Sequence, residues 1–198
     1  MNSVLEFGEA VRDGLARALA CKKDVAMGLL ASVLGAASTP ACGGDPVREQ
    51  KIAALGPEDP FVRAGAFHRP NQPCLLCHSQ GGNARPMVIA GTVFREPQSR
   101  EPVSGVDVLM IDSARRAFSA KSNCAGNFFV FPEDAAPTFP VWVSLRRGDH
   151  QIDMESALQK DGDCGACHRD PADRESAGHI FLDDNATRAA SIPVAQCP

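Results

Sequence analysis

Residues 87–94 (MVIAGTVF) are almost wholly apolar and read as a strand. A turn-rich stretch, REPQSREPVSG, follows it. Residues 106–112 (VDVLMID) alternate apolar and polar, the period of a half-buried strand. Residues 118–122 form a weaker strand; 127–131 (NFFVF), entered through Gly126, and 139–145 (FPVWVSL) form two clear ones. Short strands at near-regular spacing, separated by Gly, Pro and Asp turns, predict a small antiparallel β-sandwich. Phe128, Phe129, Phe131, Phe139 and Trp142 are expected to pack its core. The fold class is therefore mainly β, with loop and short-helix segments flanking the sandwich.

A different pattern opens the chain. Residues 25–37 (VAMGLLASVLGAA) carry no charge, follow Lys22 and Lys23, and lead into small residues. A positive start, a short apolar stretch and a small-residue exit make a secretory leader, too short to anchor as a spanning helix. The preceding segment bears Glu6, Glu9 and Asp13, unusual in a leader, and fits an early start site or an extended first region. The alternative is an amphipathic helix followed by a buried one. Ala41-Cys42-Gly43 resembles a bacterial lipoprotein junction, which makes Cys42 the lipidation candidate. Thr39 stands where such junctions carry Leu, so ordinary cleavage after Ser38 or Ala41 is the alternative.

The chemistry lies in two CxxCH segments, Cys74-Leu75-Leu76-Cys77-His78 and Cys164-Gly165-Ala166-Cys167-His168. The pattern is that of covalent c-type haem attachment. Two Cys with two residues between them share one backbone turn, so their sulfurs reach the two vinyl groups of one haem edge. The His that follows supplies an axial imidazole. His78 and His168 are thus proximal ligands, and the expected cofactors are two c-type haems. A split zinc site is the competing use of four Cys, but 86 residues lie between Cys77 and Cys164, where zinc modules use about 15–20. Disulfides within or between the pairs are the other alternative.

A sixth ligand, or an open position, completes each iron. His68 lies six residues before Cys74, His150 fourteen before Cys164, and His179 eleven after His168. His68 is the expected partner of one haem, and His150 or His179 of the other. Met87 and Met110 sit in strand-like runs and are expected in the core. Met154, on an expected short helix, is a further candidate ligand.

The two CxxCH segments resemble multihaem c-type cytochromes. That resemblance implies electron transfer in the periplasm or at the cell surface. The run from Gly91 to residue 145 is similar to carboxypeptidase-regulatory-like (prealbumin-like) β-sandwich modules, through Gly91, Val93, Gly105, Val106, Val108, Asn123, Gly126 and Phe128. Such modules are usually structural or adhesive. Cys124 inside the Asn123–Phe128 corner departs from their pattern.

Eight Cys in 198 residues are too many for idle thiols in a reducing cytosol. Cys21 leaves with the leader, Cys42 is acylated, and four hold haem. Cys124 and Cys197 remain as a candidate disulfide, with two free thiols the alternative. A net charge of −4 without a basic tract gives nucleic-acid binding no support. No P-loop, GxGxxG or hydrolase motif occurs. The organisation read from sequence is a leader at 1–41, an N-terminal haem segment at 42–85, a β-sandwich at 86–148 and a C-terminal haem segment at 149–198. The expected function is that of an exported dihaem electron carrier rather than an enzyme: a bacterial periplasmic or outer-membrane lipoprotein serving redox partner proteins. The alternatives are a small dihaem peroxidase-like enzyme and a non-haem structural lipoprotein with zinc or disulfide Cys pairs.

Overall fold

The computed structural model describes residues 45–62, 65–170, 172–182 and 197. The leader at 1–41 and Cys42 lie outside the described residues. The chain divides into Met1–Pro46 and Val47–Pro198, and both sheets and both CxxCH segments belong to the second unit. No helix among the described residues is long and apolar enough to cross a membrane.

Strand β1 (Ile89–Phe94) is buried at all six positions, as its almost wholly apolar run suits, with Thr92 the one polar side chain in it. On one edge it pairs antiparallel with β4 (Asn127–Val130), from Ile89 opposite Val130 to Thr92 opposite Asn127. Two short parallel strands share the other edge. β7 (Gly162–Asp163) covers Ile89 and Ala90, and β8 (Ile180–Phe181) covers Val93 and Phe94. The second sheet is antiparallel in the order β3 (Ala117–Lys121), β2 (Asp107–Asp112), β5 (Val141–Arg147), β6 (His150–Asp153). The protein is mainly β, two sheets forming a small sandwich. Among the described residues three short helices complete it: α1 (Pro46–Ala54), α2 (Leu75–His78) and α3 (Cys164–Cys167).

Ile89, Val93, Val106, Val108, Met110, Phe128, Val141 and Leu145 meet between the sheets. Each such side chain contributes roughly 1.5–3 kcal/mol by leaving water. β2 alternates as its sequence does, with Val108, Met110 and Asp112 inward. Burial pushes the Asp112 pKa up, but the N–H groups of Arg116 and Thr138 and the Arg116 guanidinium outweigh it and hold the carboxylate below its ordinary value.

Three sequence expectations shift. Trp142 is half exposed and pairs across strands with Ile111 on the outer face, because Val141 and Leu145 take the inward positions of β5. The segment before Met154 is a strand rather than a short helix, since Gly148 at φ 58 turns the chain back onto β5. The sheets also run past residue 148, which falls in the β5–β6 turn, and recruit β6, β7 and β8 from the C-terminal segment.

Candidate functional site

The first CxxCH segment folds as one helical turn, with the N–H groups of Cys77 and His78 both donating to the Cys74 carbonyl. Cys74 and Cys77 therefore stand one turn apart on one side of the chain. Arg48, from α1, pins this turn. Its guanidinium donates to the carbonyls of Leu76 (2.6 Å) and Cys77 (3.5 Å) in the helix and of Gly81 (3.2 Å) beyond it. The His78 Nδ1 lies 2.8 Å from the Arg85 carbonyl. An Nδ1–H donated there leaves Nε2 free to bind a metal, since a carbonyl that holds one ring nitrogen fixes the tautomer and aims the other.

His68 faces His78, their ring centroids 5.8 Å apart and their planes inclined by 34°. Its Nδ1 also meets a backbone carbonyl, that of Gly65. Both rings line a cavity of about 300 Å³ with Cys74, Cys77, Met87, Phe128 and Phe129. Met87, expected in the core, is thus a cavity wall. The strap carrying His68 is tied to the sandwich. Asn127 Nδ2 donates to the carbonyls of Ala66 (3.2 Å) and His68 (3.1 Å), and Asn123 Nδ2 to Ala66 (2.7 Å). The Asn71 N–H donates to Thr92 Oγ1, whose hydroxyl donates to Asn127 Oδ1. Arg69 and Asn71 sit at φ 50 and φ 64. Asn tolerates this region, whereas Arg69 is strained by roughly 1 kcal/mol. Its guanidinium bonds to Gly56 and Gln72 hold it there.

The second CxxCH segment begins where β7 ends. The His168 N–H donates to the Cys164 carbonyl (2.8 Å), and His168 Nδ1 lies 2.9 Å from the Gly178 carbonyl. The loop between is closed by Ser176, whose hydroxyl donates to the Arg169 carbonyl and accepts from the N–H groups of Arg169 and Gly178. A cavity of about 130 Å³ is lined by Cys164, His168, Met154, Leu158, His179 and Phe181. His179 is buried and stacked on Phe94 at 4.2 Å. Its Nε2 lies 3.0 Å from both Asp170 Oδ1 and Asn71 Nδ2, and its Nδ1 has no hydrogen-bond partner in the structure. His150 is exposed at the start of β6, opposite Arg147, and lines neither cavity.

The two segments touch. A Cβ on Gly165 would lie 2.5 Å from the Gln72 carbonyl oxygen and 3.1 Å from Pro73 Cα, so only glycine lets α3 approach the start of the first motif. Phe128, fully buried, lines both cavities. Asp163 lies between the segments. Burial and then the charge of Asp161 raise its pKa to about 7, against the pull of the Leu75, Cys74 and Ala166 N–H groups. Burial, and next the charge of Asp163, push the Cys74 thiol up to about 12, and the same two causes raise Cys164 further.

These raised thiols bear on what the cysteines hold. Burial holds the Cys74 and Cys164 thiols protonated, and a haem thioether, being neutral, suits such an apolar wall. Among the described residues no group of three or more His, Cys, Asp or Glu converges as a metal cage. The apolar walls and paired Cys fit the haem edge that each CxxCH segment would hold, and the carbonyl-anchored imidazoles fit the axial ligand it would supply. Separately, Cys124 and Cys197 form a disulfide with a Cα–Cα distance of 5.7 Å.

Arg48, Asn71, Asn127 and Asp163 escaped the sequence reading. Each acts on a site more than 15 residues away in the chain for at least one of its bonds, and no local pattern marks them. No family model matches this chain, and neither a curated protein nor a solved structure matches it.

Proposed function

We propose that this protein is a dihaem c-type electron-transfer protein. Cys74 and Cys77 bind one haem through thioethers, Cys164 and Cys167 the other, and His78 and His168 are the proximal ligands. His68 is the sixth ligand at the first site. The observation that carries the reading is the pair His68 and His78, facing across a cavity walled by Cys74 and Cys77. His68 and His78, their ring centroids 5.8 Å apart, would supply the two axial imidazoles of a haem held there. The haem supplies one-electron chemistry at iron. The chain supplies two filled axial positions, carbonyl anchors that fix the imidazoles, and an apolar wall that limits reorganisation.

Export of the protein, with Cys42 acylated at a bacterial membrane surface, belongs to the same reading. It is supported by the leader-like run and by the Cys124–Cys197 disulfide, which suits an oxidising compartment. The physiological partners are then redox proteins.

The test is intact mass and a reduced-minus-oxidised visible spectrum after expression in a host with c-haem maturation. Two covalent haems with low-spin bands are expected. The pair Cys74→Ala and Cys77→Ala should leave one. A chain without haem overturns the proposal, and high-spin iron at both sites points instead to a peroxidase-like enzyme.

A further inference from the structure

Ile111 and Trp142, 50% and 51% exposed, are the large apolar side chains that the described strands leave open to solvent. They stand side by side on the outer face of the second sheet. Strand register sorts that face into three rows, since alternate residues of a strand share a side. Ala117, Ile111 and Trp142 make an apolar row across β3, β2 and β5. Ser119, Leu109, Ser144 and Asp153 make the next, which reaches β6. Lys121, Asp107, Arg146 and Gln151 make the third. Asp107 pairs with Lys121. Arg146 is exposed and enters no ion pair among the described residues.

This pattern is complementary to itself. A two-fold axis running along the strands, between β2 and β5, sets β2 of one copy over β5 of another and β3 over β6, and keeps each row on its own row. Ile111 then meets Trp142 of the second copy, and Trp142 meets the other Ile111. Asp107 meets Arg146, and Arg146 meets Asp107. Lys121 falls over Gln151, and Asp153 over Ser119. Apolar groups cover apolar groups, opposite charges face each other twice, and no like charges are opposed. Two sheets stacked with their strands aligned are a common packing. A strongly charged partner fits less well, because the face balances Asp107 and Asp153 against Lys121 and Arg146 and would leave one sign unmatched.

We infer that the outer face of the second sheet is a self-association surface, on which a second copy of this chain packs about that axis. Four strands and five residues along them span roughly 19 Å by 17 Å, about 320 Å² in projection. That is less than the about 800 Å² per partner of a standard interface, so the dimer is weak and forms as concentration rises. Trp and Arg are the residue types that carry most binding energy at such surfaces, and Trp142 and Arg146 stand on one strand of it. The inference is independent of haem, since β7, which leads into the second CxxCH segment, belongs to the first sheet.

The experiment is sedimentation velocity on the full chain over a wide concentration range, with hydroxyl-radical footprinting of Trp142, the one Trp present. The parent protein should pass from monomer to dimer, and Trp142 oxidation should fall with the same midpoint. Ile111→Lys should weaken the dimer at least tenfold, as loss of a central contact does. Asp107→Arg sets two Arg against each other, and Arg146→Asp sets two Asp, so each variant alone should stay monomeric. Mixed together, these two variants should form a heterodimer, because both cross-pairs then carry opposite charges. All three substitutions are on the surface, and an unchanged circular dichroism spectrum shows that each variant is folded. A parent protein that stays monomeric at every concentration overturns the inference, whether Trp142 is then oxidised freely or is protected by a segment of its own chain or by another protein. A dimer that Ile111→Lys leaves intact, or a mixture that stays monomeric, overturns it as well.

Discussion

The two CxxCH segments share five-residue chemistry and are held in opposite ways. The first is strapped onto the sandwich from outside. α2 belongs to neither sheet, and side-chain bonds from Arg48, Asn123 and Asn127 tie its surroundings down. The second is a continuation of the sandwich. β7 pairs with β1 and runs directly into α3, and Cys164 is part of the core. The same motif can thus be mounted on polar ties or on packing. The two mounts should fail under different changes.

The largest separation is expected at Gly91. A Cβ there would lie 2.8 Å from Cys164 Cβ and 2.9 Å from Phe128 Cζ. Gly91→Val should destabilise the fold by about 3 kcal/mol, the upper end of overpacking costs, read as a lowered urea midpoint, with hydrogen exchange rising at residues 162–168 before residues 76–82. If both sites fail together, the contrast between mounts is wrong. Arg48→Ala is the reciprocal change. It removes three bonds to α2 and the turn after it, and should cost about 1–2 kcal/mol. Its effect should be confined to the first site, seen as faster hydrogen exchange at residues 76–82 and not at 162–168.

Asp163 joins the two segments and sets a pH dependence. Its native pKa of about 7 lies above the ordinary value of 3.8. The fold therefore favours the protonated form. Stability from this group is complete below about pH 4, declines as pH rises towards 7 and is level above that. Urea midpoints at pH 5 and pH 8 should differ in that sense, and Asp163→Asn should flatten the difference. A midpoint that rises with pH in the parent protein and not in the variant would contradict the assignment. The smallest effect is expected at Glu133. Its ion pair with Arg85 is exposed on both sides, so Glu133→Gln should leave the unfolding midpoint within the scatter of replicates.

Much of the sandwich was legible because β1, β2, β4 and β5 carry their period in four or more consecutive residues. β7 and β8 were not, since two residues have no period, and parallel pairing with β1 is decided by chain segments far away. The outward turn of Trp142 was missed for a related reason. An aromatic in an apolar run reads as core, whereas the register against β2 sets the face it takes. At the sites, the two Cys–Cys–His turns could be read from spacing, because one turn of backbone joins Cys to Cys to His. The approach of His68 to His78 could not. It depends on the left-handed residues Arg69 and Asn71 and on Asn127, almost 60 residues later.

The burial of Cys164 has a bearing on biogenesis. Its residue is 5% exposed and covered by β1 and Phe128, while Cys167 of the same motif is open to solvent. A thioether forms only where a maturation enzyme can bring vinyl group and thiol together. On the dihaem reading, the finished sandwich would shut that enzyme out of the second motif. Haem must then be joined at Cys164 while the C-terminal segment still hangs free, and the closing of β7 onto β1 becomes a step that comes after loading. The exported chain would have to be kept open until its second cofactor has arrived.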